Sequence, residues 1–587
     1  WTLLLSYKKR VTGLLIVNVI VSLLLLGDLL YFRFFKSVLN IPVMMQAGQV
    51  EGVADSVFSL FRPGDVLLIL DFILLVPYLR WRKRRRNTQQ LPKLPIKVKV
   101  AGFLTVFLVA LVTLGLMTQQ MVNAAGQKAV TNMYTNTRLL NSVGILNYHV
   151  LDFVSTVKGH QYAKEVWTDQ TNQEAQEIRS WMDVHRQATP NKYQGIAKGK
   201  NVIIIQLEAM QNFLVNRQVN GQEVTPNMNK LIGESLYFDN YFPQIGQGNT
   251  SDAEFMSLNS LYPTPAGSVY VLAGDKKYQS LPWALKEDAG YQSTYAFHTY
   301  EPVFWNRANA YISEGFDRFF SKDDFPQQDI IGMAASDAEL YDKMLQELKQ
   351  APQPNMSLAV TLSGHHPYKI PDDKKGLNIP EGAYSEIFTN YLQCQHYADE
   401  QLGLFIDKLK REGLLDDTLL VFYGDHFGSG FTDEDLAKFN GLTLPLSKLQ
   451  QKELFTVPLF IRLPQGQPAG VQHISGGQMD LYPTLINLLG LDKQKLFYMG
   501  QDLLNAQDGY SVFRFYFGEG SFATDELFYL ASGDGEFANG TCYSRASGEP
   551  VETTACTAGY NEAKKVLEMS DLIRNTDGLP YLTEMKH

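Results

Sequence analysis

Cysteine is nearly absent from this chain, with three residues in 587. No CxxC and no Cys/His zinc spacing occurs, so a cysteine-held metal is not supported. Cys394 falls in a helix-like stretch, whereas Cys542 and Cys556 bracket a polar, Gly-containing turn. Outside a cell those two would close a small hairpin as a disulfide; the alternative is two separate thiols. Net positive charge is also lacking. The formal charge is -9, and that total includes a strongly basic loop near the N-terminus, so the remainder is more acidic still. This argues against nonspecific nucleic-acid binding. The first apolar segment is followed by Tyr31, Arg33 and Lys36 instead of a small-residue cleavage site, which disfavours a cleavable signal.

What is present begins with long apolar runs that the mean hydropathy of -0.15 averages away. Three segments read as membrane-spanning helices: roughly Thr12 to Phe32, Val66 to Leu79 and Val98 to Met117. The middle one is short and carries Asp71 and Pro77, so a re-entrant helix is its alternative. Lys8, Lys9 and Arg10 precede the first span; Arg80, Arg82, Lys83, Arg84, Arg85 and Arg86 follow the second, and Lys97 and Lys99 precede the third. The positive-inside rule puts both basic clusters in the cytoplasm, so the chain crosses twice between them and the third span exports everything after about Gln119. The expectation is a multi-pass cell-membrane protein with its larger part extracellular. Val38 to Phe61 reads as an amphipathic segment on the outer face.

From Gln119 to Lys198 the pattern is helical and carries no obvious chemistry. After Lys200 short apolar runs alternate with amphipathic stretches: NVIIIQLEA, SLYFDNYF, YQSTYAF, MSLAVTLSG, TLLVFYGDH and FTVPLFIRLP. Such runs, separated by helices, indicate an α/β sheet covered on both faces. Beyond Gly509 the texture turns Gly-rich and strand-like. The expected organisation is an α-helical transmembrane domain (1–118), a helical linker (119–198), an α/β catalytic domain (199–507) and a small C-terminal β-containing subdomain (508–587).

In such sheets ligands bind at the carboxyl ends of the strands. One run ends in Glu208 and another in Asp425 and His426; two carboxylates and an imidazole suit Mn²⁺, Mg²⁺ or Zn²⁺. The segment IGQGNTSDAEF offers Thr250 or Ser251 at the start of a helix, after Gly246 and Gly248. A hydroxyl beside a metal becomes a nucleophile; the bland alternative is an N-cap, with Asp252 and Glu254 completing a favourable first turn. The runs AFHTYEPVFWNR and TLSGHHPY add His298, Trp305, Arg307, His365 and His366 near two more strand ends. Arg matches a phosphate by charge and geometry, and His binds or protonates its oxygens.

These motifs resemble the lipoteichoic acid synthases of the alkaline phosphatase and sulfatase superfamily. The resemblance runs over the whole chain and is carried by IIQLEAMQNF, GQGNTSDAEF, HTYEPVFWNR, SGHHP, YGDH and GGQMDLYPTLINLLG. It implies a sulfatase-like catalytic domain in which Glu208, Thr250, Asp425 and His426 hold one Mn²⁺, with Mg²⁺ as the alternative. Thr250 would attack the phosphorus of phosphatidylglycerol, release diacylglycerol and pass glycerophosphate to a glycolipid or polyglycerolphosphate acceptor. His298, Phe304, Trp305, Arg307 and His365 would surround the glycerophosphate, with His366 ranked lower. Members of that family carry five spans, which implies two more before Trp1. Sulfatases need Cys or Ser in a CxPxR context; TSDAE around Thr250 has neither the Cys nor the context, so sulfate ester hydrolysis is disfavoured. A polymer-priming enzyme and a phosphoethanolamine or glucan glycerophosphate transferase are the related alternatives. A non-catalytic receptor or scaffold would show a broken ligand set, and none is broken.

Overall fold

The computed structural model describes residues 4, 5, 7–35, 37–49, 54–68, 70, 77, 81, 95–125, 140, 141, 143–162, 173–185, 191–576 and 578–583. It divides into two compact units. The first holds the long helices α1 (Tyr7–Phe35) and α2 (Ile96–Ala125) and most of α3 (Ile145–Tyr162). The stretches Thr12–Arg33 and Ile96–Gln120 are long and apolar enough to cross a membrane. Most of the expected middle span, Val66 to Leu79, and the basic run 82–86 lie outside the described residues. Within this unit Arg33 grips Asp65 with two hydrogen bonds of 2.6 Å, which satisfies a charge pair set among apolar helices.

The second unit is built on a mixed sheet. Its strands are β1 (Asn201–Leu207), β2 (Leu236–Phe242), β3 (Ser293–Phe297), β4 (Arg318–Phe320), β5 (Asn355–Val360), β6 (Thr418–Gly424), β7 (Val457–Arg462) and β8 (Gly470–Gln472), with β9 (Gly476–Gly477) also pairing β2. The order is β8-β2-β7-β6-β1-β5-β3-β4. Strands β6, β1, β5, β3 and β4 run parallel, and β7 is antiparallel to both its neighbours. Every residue of β1 and β6 is buried, which is why they read as unbroken apolar runs.

Alternation along β1 assigns the faces. Val202 and Ile204 pack with α5 (Thr250–Asn259) and α9 (Leu481–Leu489), while Ile203, Ile205 and Leu207 pack with α7 (Asp337–Leu348) and α8 (Glu386–Arg411). Helix α4 (Gln173–His185) joins the first face through Ala175, Ile178, Trp181 and Met182. The short α6 (Arg307–Ser313) supplies Ala310 and Tyr311 to the same core. The C-terminal part is a five-stranded sheet, β10 (Tyr510–Phe513), β11 (Ser521–Thr524), β12 (Leu527–Leu530), β13 (Thr541–Ser544) and β14 (Pro550–Val551), antiparallel throughout and backed by α10 (Thr557–Asn575). Cys542 and Cys556 form a disulfide between β13 and the segment entering α10. Cys394 is a buried thiol on α8.

Candidate active site

The register of the parallel strands determines what meets at their carboxyl edge. Leu207 pairs with Gly424, Gln206 with Val360, and Phe297 with Ala359. The residues that follow these pairs, Glu208, Asp425, Thr361 and His298, therefore emerge side by side. Strand β2 runs in the same direction as β6, because each is antiparallel to β7, so the loop after it delivers Thr250 to the same edge.

Thr250 is the first residue of α5, and Asn249 takes the cap position with φ at 42° and no side-chain cap bond. A non-glycine residue in that region carries strain of about 1–3 kcal/mol. Tyr516 holds it by donating its hydroxyl to Asn249 Oδ1 at 2.7 Å. The capping alternative is thereby excluded: Ser251 donates to Gly248 O, and Asp252 accepts from the amides of Gly246, Gly248 and Val269. At Gly248 a Cβ would lie 2.2 Å from the Asp252 carboxylate, so only glycine permits this wrap. The Thr250 hydroxyl remains turned to the sheet edge, 3.4 Å from Glu208 Oε2 and 3.4 Å from His426 Nε2.

Glu208, Asp425 and His426 present their ligand atoms within 4.8 Å of one another. His426 Nε2 lies 3.5 Å from Glu208 Oε1 and 3.5 Å from Asp425 Oδ2. Its Nδ1 is 3.0 Å from the Phe427 carbonyl, which can only accept, so that nitrogen carries a proton and in the neutral ring Nε2 offers the lone pair. Burial pushes the Glu208 carboxyl up and Asp425 up to about 7. Burial opposes charge on His426, but Asp425 and Glu208 outweigh it and its pKa is raised. Asp425 Oδ1 accepts from the amides of Ala209 and His426, whereas Oδ2 is buried without a hydrogen-bond partner among the described residues. Two buried carboxylates, an orphaned oxygen, an imidazole lone pair and a hydroxyl form a donor set that fits a divalent cation.

His298 is 2% exposed, and its Nδ1 is 3.0 Å from the Val360 carbonyl. His365 Nδ1 is 2.7 Å from the His366 carbonyl. Burial, with the charge of Arg307 adding to it, pushes His298 well down and His365 down to about 4. Both rings are thus neutral, with Nδ1 protonated and Nε2 an acceptor. Such a ring suits a hydroxyl better than a phosphoryl oxygen. The charge of Arg307 also reaches Glu208, and its guanidinium is held by Glu254, one turn beyond Thr250 on α5. Phe304 packs with Tyr300 and Leu362, just before His365. Trp305 stacks edge-on to Phe304 in a left-handed turn at φ 56°. His366 faces Tyr368.

Several supporting residues carried no signal of their own in the sequence. Thr361 Oγ1 accepts from the Glu208 amide at 2.9 Å, Gln395 donates to the Glu208 carbonyl at 3.1 Å, and Gln206 donates to the Thr250 carbonyl at 3.0 Å. Gln478 donates to the Asp425 carbonyl. Glu254 does not complete a solvated first turn: it is wholly buried and bonded to Arg307. The one available clue was α5 itself, where Thr250, Ser251, Asp252, Glu254, Ser257 and Asn259 are all buried, a polar load no ordinary core helix carries.

Comparison with known proteins bears on this site. Residues 200–491 match the sulfatase family, and residues 1–165 match the lipoteichoic acid synthase N-terminal domain. The chain is 32% identical to the lipoteichoic acid synthase-like YvgJ of Bacillus subtilis (strain 168), over 99% of its own length and 90% of that protein. The chain belongs to the lipoteichoic acid synthase family. The family's Staphylococcus aureus (strain USA300) lipoteichoic acid synthase is 30% identical over 97% of this chain and 85% of that one. The crystal structure of the lipoteichoic acid synthase LtaP from Listeria monocytogenes superposes with a TM-score of 0.63 at 31% identity, covering 68% of this chain and 98% of that one. With its N-terminal match and two long apolar helices, this lipoteichoic acid synthase family member is membrane-anchored.

Proposed function

We propose that this chain is a phosphotransferase of lipoteichoic acid synthesis that moves glycerol phosphate from phosphatidylglycerol, through a covalent Thr250 intermediate, onto a growing polyglycerolphosphate chain. Family membership supports the pathway. The observation that carries the chemistry is the Thr250 hydroxyl, buried and 3.4 Å from both Glu208 and His426 at the strand edge. Glu208, Thr250, Asp425 and His426 would hold a divalent ion such as Mn²⁺, which would lower the hydroxyl pKa and offset charge on the phosphoryl oxygens.

The chain's own residues do the rest. The α5 amino terminus favours negative charge beside Thr250. Thr250 Oγ1 loses its proton toward Glu208 Oε2 and bonds to phosphorus, the ester bond to diacylglycerol breaks, and the departing oxygen takes a proton from solvent. Arg307 hydrogen-bonds a phosphoryl oxygen in line with the attack. The acceptor-facing nitrogens of His298 and His365 receive the glycerol hydroxyls, and Phe304 and Trp305 wall the pocket. In the second step the terminal hydroxyl of the acceptor attacks phosphorus and gives its proton to solvent, the Thr250 Oγ1–phosphorus bond breaks, and Thr250 Oγ1 regains its proton from Glu208.

The test is headgroup competition. Purified full chain with Mn²⁺ and fluorescent phosphatidylglycerol or phosphatidylethanolamine should release diacylglycerol from the first alone. Equal release from both would overturn the donor assignment.

A further inference from the structure

Behind the reacting edge lies a second charged cluster. Arg307, on α6, is 1% exposed, and Glu254, one turn beyond Thr250 on α5, is 0% exposed. Arg307 Nε donates to Glu254 Oε1 at 3.1 Å and Oε2 at 3.2 Å, and Nη2 donates to Oε1 at 2.6 Å. The Tyr311 hydroxyl, one turn along α6 from Arg307, donates to Glu254 Oε2 at 2.5 Å. Farther back, Tyr270 and Asn259 donate to the Glu314 carboxyl at 2.9 and 2.7 Å. Burial pushes Glu314 up to about 8, so near neutrality the cluster holds one ion pair.

A buried ion pair is a poor device for stability, because removing both charges from water costs about what their attraction returns. This one is also unfinished. Glu254 occupies the Nε and Nη2 edge of the guanidinium, whereas Nη1 is buried and has no hydrogen-bond partner among the described residues. A buried donor left without an acceptor is costly in a folded protein. It is understandable where the acceptor arrives with a ligand. The groups that feel the Arg307 charge, Glu208, His298 and His365, are those of the reacting edge.

We propose that Glu254 is a positioning residue: by gripping one edge of the Arg307 guanidinium, with Tyr311 locking the carboxylate, it aims Nη1 at a phosphoryl oxygen of the donor. The inference rests on the reading that Arg307 meets the phosphodiester. Because Glu254 already neutralises the buried cation, Arg307 acts through a directed hydrogen bond more than through net charge. Lysine at 307 cannot grip the carboxylate with one edge and present another, so Arg307→Lys does not restore function.

The experiment is a double-mutant cycle on the full-length protein, read by affinity for sn-glycerol 1-phosphate, with metal content and circular dichroism measured alongside. Glu254→Gln is expected to weaken that affinity about 10- to 100-fold, the scale of a misplacement near 1 Å, with metal content unchanged. Tyr311→Phe, which leaves both charges, removes one bond to the Glu254 carboxylate while the Arg307 grip remains, weakens the affinity by about 3-fold or more, and serves if Glu254→Gln does not fold. In an Arg307→Ala background, Glu254→Gln adds nothing. Wild-type affinity in folded Glu254→Gln, or a factor that multiplies undiminished in the Arg307→Ala background, would overturn the proposal. Diacylglycerol release by the same wild-type preparation separates the two readings. Coupling without release leaves the positioning role standing and removes the donor; release without coupling does the reverse.

Discussion

Helix α5 serves two buried charged clusters one turn apart, and they differ in completeness. At Thr250 two carboxylates and an imidazole crowd within 4.8 Å, and Asp425 Oδ2 has no hydrogen-bond partner among the described residues. At Glu254 both carboxylate oxygens are met, by Arg307 and Tyr311. Both hold fully buried carboxylates, Asp425 and Glu254, each 0% exposed, so burial does not tell a reacting group from a supporting one. What separates them is the sign of the unmet need: the first cluster lacks a cation, and the second offers a donor in search of an anion. A phosphodiester held by a divalent ion would answer both.

The sharpest way to break this comparison is to remove the one atom that bonds to phosphorus. Thr250→Ala should lower transfer by about 10⁴-fold or more while thermal unfolding is nearly unchanged, and near-normal turnover would end the nucleophile assignment. Arg307→Ala should strand Glu254 in the core and cost about 3–5 kcal/mol of stability with metal retained, read by denaturant unfolding and metal analysis. Loss of metal instead would mean the two clusters are one. Reduction of the Cys542–Cys556 bridge, which spans 14 residues, should cost about 3 kcal/mol on a loop-entropy argument and leave metal affinity at the strand edge untouched. The smallest effect has the opposite sign. Asp425→Asn keeps the Oδ1 contacts but removes one of two buried carboxylates that crowd a single imidazole, so the metal-free protein should gain about 1 kcal/mol while metal binding is lost.

The strands were legible because a parallel strand buried on both faces is a continuous apolar run, and NVIIIQL and TLLVFYG can hardly be anything else. Their ends were legible for the same reason: Glu208, Asp425 and His426 interrupt those runs at the edge where α/β sheets bind ligands. Glu254 was not. In TSDAEF it looks like the acidic first turn of a solvated helix, and its partner lies 53 residues away. Thr361 and Gln395, 153 and 187 residues from Glu208, were invisible likewise, since periodicity reports a residue's own face and never its partner across the sheet. The disulfide, left open by sequence, is closed in the fold because β13 and the segment before α10 bring the two thiols together.

The central claim is a covalent glycerophosphoryl group on Thr250. The most direct measurement is peptide mass spectrometry of the full chain quenched during turnover of phosphatidylglycerol with Mn²⁺ and no acceptor. The account predicts one glycerophosphoryl group on the peptide containing Thr250, absent from Thr250→Ala and discharged when acceptor is added. Steady diacylglycerol release with an unmodified Thr250 at every quench time, or the same group carried by another residue, would contradict it.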